Sequence, residues 1–407
     1  MSQVGSTSDV DAYLESLLTR TAVFKDRDAL RHDYIPSQLP HREAELRRLG
    51  EVLAPVLRGN KASSALLYGK TGTGKTACVR LIAKLMQSKA TDRSTPFTTS
   101  YANCRLEGTG YRVLAKIAEG LGTQVPFTGL ATGEVLSRLI ATLKQRPTNL
   151  LMILDEVDIL VKATGDDLLY ELSRMGEYLP NSKITLVAIS NDLSFKDYLD
   201  PRVLSTLSEE EIIFPPYTAD QLRDILGARA SMAFNDGVAT PEVIGLVAAL
   251  SASEHGDARR ALNLLRVAGE IAERREGNRI TKEDVQSAAH KIEEDHVFEV
   301  SRSLPLHSKI LLASIALTAE KGESPTSGEV YARYTKHASF LGVPDLSYRR
   351  VAMLLNELEM LGVASGNIVS MGRHGRTRKI RLAVPLDPVL RALRSDTMVA
   401  KLLNSID

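Results

Sequence analysis

Cysteine is almost absent: the 407 residues hold two, Cys78 and Cys104. Two thiols are too few for a disulfide framework or a cysteine metal site, so small buried thiols in an intracellular protein are expected. Long apolar runs are missing as well. Nothing approaches the roughly 20 consecutive apolar residues of a bilayer-spanning helix, so no membrane association is expected. The opening stretch MSQVGSTSDVDAYLESLL lacks a basic segment followed by an apolar one, and does not read as a secretory signal. An excess of one charge is lacking too. With 51 Lys and Arg against 50 Asp and Glu, the net charge of +1 excludes a uniformly basic nucleic-acid coat and leaves local patches to be read separately.

What is present is a soluble composition, 43% hydrophobic and 25% charged, on a length that suits two or three compact units. The sharpest local feature is GKTGTGKT at 69–76, directly after the apolar run Ala65–Tyr68 and before a helical pattern carried by Val79, Ile82, Ala83 and Met86. Strand, glycine loop and helix in that order form a phosphate-binding loop. Gly69, Gly72 and Gly74 let the backbone turn its N–H groups toward phosphates. Lys75 approaches the β- and γ-phosphates, and Thr76 offers a hydroxyl to Mg2+. The nucleotide-binding stretch is therefore Gly72, Thr73, Gly74, Lys75, Thr76 and Ala77, with ATP or ADP as its ligand.

A second apolar run, Leu150–Leu154, ends in Asp155-Glu156. An acidic pair at a strand end is weak alone, but with Lys75 and Thr76 it completes a hydrolytic site: Asp155 faces hydrated Mg2+ and Glu156 orients attacking water. A further strand, Ile184–Ser190, ends at Asn191, which either positions the γ-phosphate and water or caps the strand. Arg202 in DPRVLSTL either stabilises transferring phosphoryl charge, from a neighbouring subunit, or binds Asp200. Arg259, at the start of a helix after Gly256-Asp257, is placed to bring positive charge over the γ-phosphate, with Arg260 competing for that assignment.

These pieces predict an α/β ATP-binding domain over 20–210, preceded by a flexible segment over 1–19. Strands are expected at Thr98–Cys104, Leu150–Leu154 and Ile184–Ser190. A helical lid over 211–292 follows, with helices at Ala219–Ala233, Pro241–Ser253 and Ala258–Ala272, and with Thr281 capping the next one. Residues 293–407 form the third domain. Helices are expected at Ile310–Thr318, Ser327–His337 and Ser347–Leu361, followed by two short strands around a glycine-rich basic turn, the pattern of a winged helix.

That last domain carries the charge asymmetry that the whole chain lacks. No acidic residue falls between Met360 and Leu386, whereas Arg373, Arg376, Arg378, Lys379 and Arg381 do. Gly372 and Gly375 let the turn approach a narrow groove, with Arg373, His374 and Arg376 at its tip. Arg349 and Arg350 open the expected recognition helix, where they reach phosphates or base edges. Tyr348 beside them either contacts DNA or packs. The segment 105–130 intervenes between ATPase elements. Its Leu114, Ile117, Ala118 and Leu121 bury one face and leave Arg112 and Lys116 exposed, where a second DNA contact could form, although the residues alone are a weak signal of one.

Taken in order, YIPSQLPHRE, GKTGTGKT, ILDEVD, ISND, DPRVLSTL, GDARRAL, LPLHSKILL, LSYRRVAMLLNELEMLG and GRHGRTRKIRL resemble the archaeal origin-recognition and replication-initiator proteins. The resemblance implies an AAA+ ATPase base, a helical lid and a C-terminal winged-helix domain. It makes Asn191 sensor one, Arg259 sensor two and Arg202 the arginine finger, and it makes Tyr34, Ile35 and Pro36 the segment covering adenine. Local packing would explain those three residues equally well. It also makes the stretch near 105–125 the initiator-specific DNA-contacting insertion. Such proteins use slow ATP hydrolysis as a switch on chromosomal DNA in the cytoplasm, bind and distort double-stranded origin DNA, associate with related initiator subunits and help recruit the replicative helicase. Two other readings stay open on sequence: another AAA+ DNA remodeller or clamp-loader-like ATPase, and a nucleotide-gated transcription regulator.

Overall fold

The computed structural model describes residues 23–31, 33–126, 129–370 and 376–405. The segment 1–19, the wing-tip residues Gly372, Arg373, His374 and Gly375, and the Arg376 side chain lie outside that description. Two compact units are present, Met1–Val285 and Gln286–Asp407.

The first unit is built on five parallel strands in the order β2-β3-β4-β1-β5. They are β1 (Ala65–Tyr68), β2 (Phe97–Asn103), β3 (Asn149–Asp155), β4 (Lys183–Ser190) and β5 (Glu210–Ile213). Every residue of β3 is buried, because helices cover both faces of the sheet and leave no polar side. Two differences from the sequence expectation have local causes. Cys104 does not end β2 but opens a short helix, because the Asn103 side chain accepts hydrogen bonds from the N–H groups of Arg105 and Leu106. β5 was not foreseen, since two glutamates precede its two isoleucines and hide the strand signal. The register sets Tyr68 beside Ser190, and Asp155 beside both Asn103 and Ile189, so the informative strand ends meet at one edge. In open α/β sheets that edge is where ligands bind.

The same unit holds the lid helices Ala219–Ala233, Pro241–Ser253 and Ala258–Arg274. Each starts at a residue able to satisfy free N–H groups: Thr218 in a capping box with Gln221, Thr240 before Pro241, and Asp257, which accepts from Arg259 and Arg260. Thr281 caps the following helix as expected, exchanging hydrogen bonds with Asp284.

The second unit winds around the helix Leu306–Glu320, whose residues 310–316 are all buried. Against it pack Ser327–Phe340, Tyr348–Met360 and the antiparallel hairpin β6 (Ala364–Ser370) and β7 (Arg376–Leu382). Val351, Leu354, Leu355 and Leu358 turn inward at helical spacing, each contributing roughly 1.5–3 kcal/mol by leaving water. In β7 Ile380 is fully buried while Lys379 and Arg381 face out, the alternation expected of a half-buried strand.

One part-buried polar pair is expected to make this unit acid-sensitive. His337 Nδ1 lies 2.8 Å from Ser314 Oγ, and burial, then Arg333 and Lys336, lower the imidazole's pKa below its ordinary value. The unfolded chain therefore takes up this proton first as pH falls. The contribution to stability is complete above the ordinary histidine value and is lost as pH drops through the lowered one. Thermal melts at pH 7.5 and 5 are expected to show a smaller acid loss for His337→Gln than for the parent. Equal losses would show that His337 contributes nothing to the acid response.

Candidate functional site

The phosphate loop folds back over itself. Gly72 and Gly74 take φ of 72° and 92°, the left-handed region where a side chain is strained. Neither has room for one: an added Cβ would stand 1.7 Å from Asp257 Oδ1 at Gly72 and 2.7 Å from the Tyr217 hydroxyl at Gly74. Lys75 is 4% exposed. Its ammonium donates to the carbonyls of Gly69 and Lys70 at 2.7 and 2.8 Å. Burial lowers its pKa to about 8; Asp155 opposes the shift and Arg259 adds to it. A third, longer bond runs to Thr73 Oγ1 at 3.5 Å, and a buried ammonium held by neutral oxygens is poised for an anionic partner.

At the next position Thr76 Oγ1 donates to Asp155 Oδ2 at 2.9 Å, joining the loop to the end of β3. A hydroxyl and a carboxylate in contact suit a hard cation that keeps most of its waters, so the site fits Mg2+ held through Thr76, Asp155 and phosphate oxygens. Among the described residues no group of three or more His, Cys, Asp or Glu could form a protein-only metal site. Glu156, in the left-handed region at φ 53°, comes within 3.4 Å of Asn191 Nδ2. Asp158 accepts from Ser190 Oγ and the Asn191 N–H, both at 3.2 Å, and so fixes the turn that carries Asn191. The structure thus assembles Lys75, Thr76, Asp155, Glu156 and Asn191.

Tyr34, Ile35 and Pro36 line one cavity together with Gly72, Gly74, Thr76, Ala77 and Arg259. Thr73, fully buried, lies behind that wall and bonds the Lys70 carbonyl. The helix bearing Arg259 abuts the loop directly, since the Ala258 N–H donates to the Gly72 carbonyl at 3.2 Å. Arg260 pairs with Glu254 and is not among the residues that line this cavity. Arg202 does not line this cavity. It pairs through two nitrogens with Asp200 and is 73% exposed.

Sequence reasoning missed several participants. Tyr101 on β2 donates to the same Asp155 oxygen at 2.8 Å, and Arg80 from the cavity wall stacks over its ring at 4.3 Å. Alternation along β2 groups Thr99, Tyr101 and Asn103, but only the β2–β3 register shows which acid they meet. Arg229, 5% exposed on a lid helix, donates to the carbonyls of Arg31 and Tyr34 and stacks on the Tyr34 ring at 4.5 Å. Arg42 is 2% exposed behind the phosphate loop. No local pattern distinguishes these arginines from solvated ones.

Basic positions in the rest of the chain differ in availability. Arg112 lies 3.6 Å from Glu107, and Lys116 bonds Glu119 at 2.8 Å, on a helix Gly110–Gly120 whose Val113, Leu114, Ile117 and Ala118 are buried. In the second unit Tyr348 sets its ring edge-on to Tyr331 at 5.2 Å while staying half exposed. Arg378 bonds Asn356 at 2.8 Å and is ion-paired with Glu359. Arg349 and Arg350 are exposed in the first turn of Tyr348–Met360, and no ion pair holds either among the described residues.

A glycine-lysine loop and an acidic pair at the ends of this sheet's strands, with Asn191 and the lid arginine Arg259 beside them, define an AAA+ P-loop ATPase, here followed by a winged-helix domain. Comparison with known proteins takes the assignment further. Residues 58–193 match the AAA domain, 223–299 the Cdc6 AAA+ ATPase-type lid domain and 299–392 the CDC6 C-terminal winged helix domain. The chain is 50% identical over 383 residues to ORC1-type DNA replication protein 1 of Aeropyrum pernix, covering 94% of this chain and 97% of that one. It is 47% identical over 399 residues to the ORC1-type DNA replication protein of Thermococcus onnurineus, covering 97% and 96%. The solved structure of the Aeropyrum pernix ORC1 protein in complex with DNA superimposes with a TM-score of 0.85 at 50% identity, covering 94% of this chain and 99% of that one. The chain belongs to the ORC1-type DNA replication proteins, and membership of the AAA+ ATPase family implies nucleotide binding and ATPase activity. No helix among the described residues is long and apolar enough to cross a membrane.

Proposed function

We propose that this protein is an ATP-dependent replication initiator that binds and distorts duplex origin DNA and helps recruit the replicative helicase, with slow ATP hydrolysis as its switch. In one chain, an assembled ATP site accompanies an exposed arginine couple, Arg349 and Arg350, in a domain matched by the CDC6 winged helix; that combination carries the reading. We assign the ATPase base to 20–210, the lid to 211–292 and the DNA-binding domain to 293–407. Lys75 and the amides of Gly72, Thr73, Gly74, Thr76 and Ala77 hold ATP or ADP. Bound Mg2+ would neutralise phosphate charge beside Thr76 and Asp155. Glu156, steered by Asn191, orients water, while Arg259 carries the phosphate state to the lid helix. Arg202 acts on the nucleotide of a related initiator subunit.

Duplex DNA is gripped by the winged helix through Arg349, Arg350, Arg378 and the wing residues Arg373, His374 and Arg376, with Tyr348 alongside. A second grip comes from the 105–125 segment through Arg112 and Lys116. Two grips on one duplex provide a means to bend or underwind it. Footprinting across the host chromosome with and without ATP tests the reading. Protection is expected to concentrate at origins and to change with nucleotide. Protection confined to promoters, or scattered without preference, would contradict it.

A further inference from the structure

Arg42 is a charge in a place where charge is expensive. Its side chain is 2% exposed, and its only carboxylate partner among the described residues, Glu45 at 3.2 Å, lies in the first turn of the helix Glu43–Leu53 that Arg42 precedes. An apolar side chain would fill the space without the desolvation penalty of a buried cation. What the guanidinium does instead is join separate segments through backbone oxygens. Nε donates to the Thr73 carbonyl at 2.9 Å, Nη2 to the Pro215 carbonyl at 2.6 Å and Nη1 to the His41 carbonyl at 3.2 Å. Its plane lies over the Tyr217 ring at 3.9 Å.

The Thr73 carbonyl belongs to the peptide unit that contains the Gly74 N–H. In a trans peptide the two groups point in opposite directions. Fixing the oxygen toward Arg42 therefore aims the Gly74 N–H away from it, and a cation on the oxygen strengthens that N–H as a donor. The other fork of Arg42 ends on Pro215, in the strap that leads from β5 to the lid. Tyr217 of that strap donates its N–H to the Gly256 carbonyl at 3.2 Å, and Ala258 two residues on returns to Gly72. Loop, strap and the start of the Arg259 helix thus form a closed circuit through Arg42.

We infer that Arg42 is a positioning residue: it orients the Gly74 amide for a nucleotide phosphate and ties the phosphate loop to the strap that carries the lid. The inference rests on the nucleotide-site reading above.

The test uses the full chain with Arg42→Lys, which keeps the charge but loses the fork, and Arg42→Met. ADP affinity by calorimetry is expected to fall about tenfold in Arg42→Lys and further in Arg42→Met, as one or more charge-assisted hydrogen bonds disappear. With 15N-glycine labelling, the Gly74 resonance of the ligand-free variants is expected to move more than that of Gly328 in the second unit. A general loss of stability would lower affinity without singling out Gly74. ADP affinity within twofold of the parent, or a Gly74 resonance that stays in place, overturns the inference. If neither Arg42 variant folds, Tyr217→Leu decides: it removes the ring beneath the guanidinium, and unchanged ADP affinity overturns the inference in the same way. A parent chain that fails to bind ADP would instead sink the nucleotide-site reading.

Discussion

Lys75→Ala is expected to weaken ATP and ADP binding by about 100-fold or more while leaving the ligand-free fold intact. The ammonium is buried and bonded to neutral acceptors, the Gly69 and Lys70 carbonyls and, at 3.5 Å, Thr73 Oγ1, which on the proposed reading give way to phosphate oxygens when nucleotide enters. Charge-assisted hydrogen bonds contribute roughly 1.5–3 kcal/mol each, and two of them correspond to roughly 3 kcal/mol or more of binding. Roughly 3 kcal/mol is about a 100-fold change in dissociation constant. The fold should tolerate the loss, because burial, which lowers this ammonium's pKa to about 8, makes the charge a cost to the ligand-free fold. Calorimetric titration with ATP, paired with a thermal melt of the free variant, separates the two effects. ATP affinity within threefold of the parent, in a variant that melts normally, would remove Lys75 from the phosphate site.

The parts of this site that sequence reveals are those whose neighbours lie along the chain. A strand, a glycine loop and a helix in succession leave a run such as GKTGTGKT little freedom, and Asp155-Glu156 at the end of an all-apolar strand is bound to emerge at the sheet edge. What the sequence hides is set by register and by long-range burial. Tyr101 meets Asp155 only because β2 and β3 pair with Tyr101 beside Ile153 and Asn103 beside Asp155. Arg42 and Arg229 look like surface cations in a charged chain, and only the packed structure shows them buried against carbonyls and tyrosine rings. In the second unit the hydrophobic stripe of Tyr348–Met360 is plain from spacing. The capture of Arg378 by Glu359 and Asn356 is not, because it needs the hairpin laid against the helix.

That capture shapes the second large prediction, which separates two kinds of arginine in one domain. Arg349→Ala combined with Arg350→Ala is expected to lower affinity for duplex DNA by about 30-fold or more, taking about 1–3 kcal/mol for each arginine that reaches a phosphate or base edge. The two stand exposed in the first turn of their helix, where free N–H groups also favour phosphate. Removing one phosphate-binding cation should flatten the plot of log affinity against log salt by about 0.9 in slope, so the double variant should flatten it by about twice that. Arg378→Ala is expected to do less. Its guanidinium already bonds Asn356 and Glu359, so it reaches a phosphate only by giving up that ion pair, which offsets what it gains from DNA. Fluorescence anisotropy with a labelled duplex over a salt series, at saturating ADP, measures both quantities for all three proteins. A double variant with the parent's salt slope would exclude Arg349 and Arg350 from the phosphate-binding surface. A loss for Arg378→Ala as large as that of the pair would mean that DNA draws Arg378 away from Glu359, and that the ion pair opens on binding.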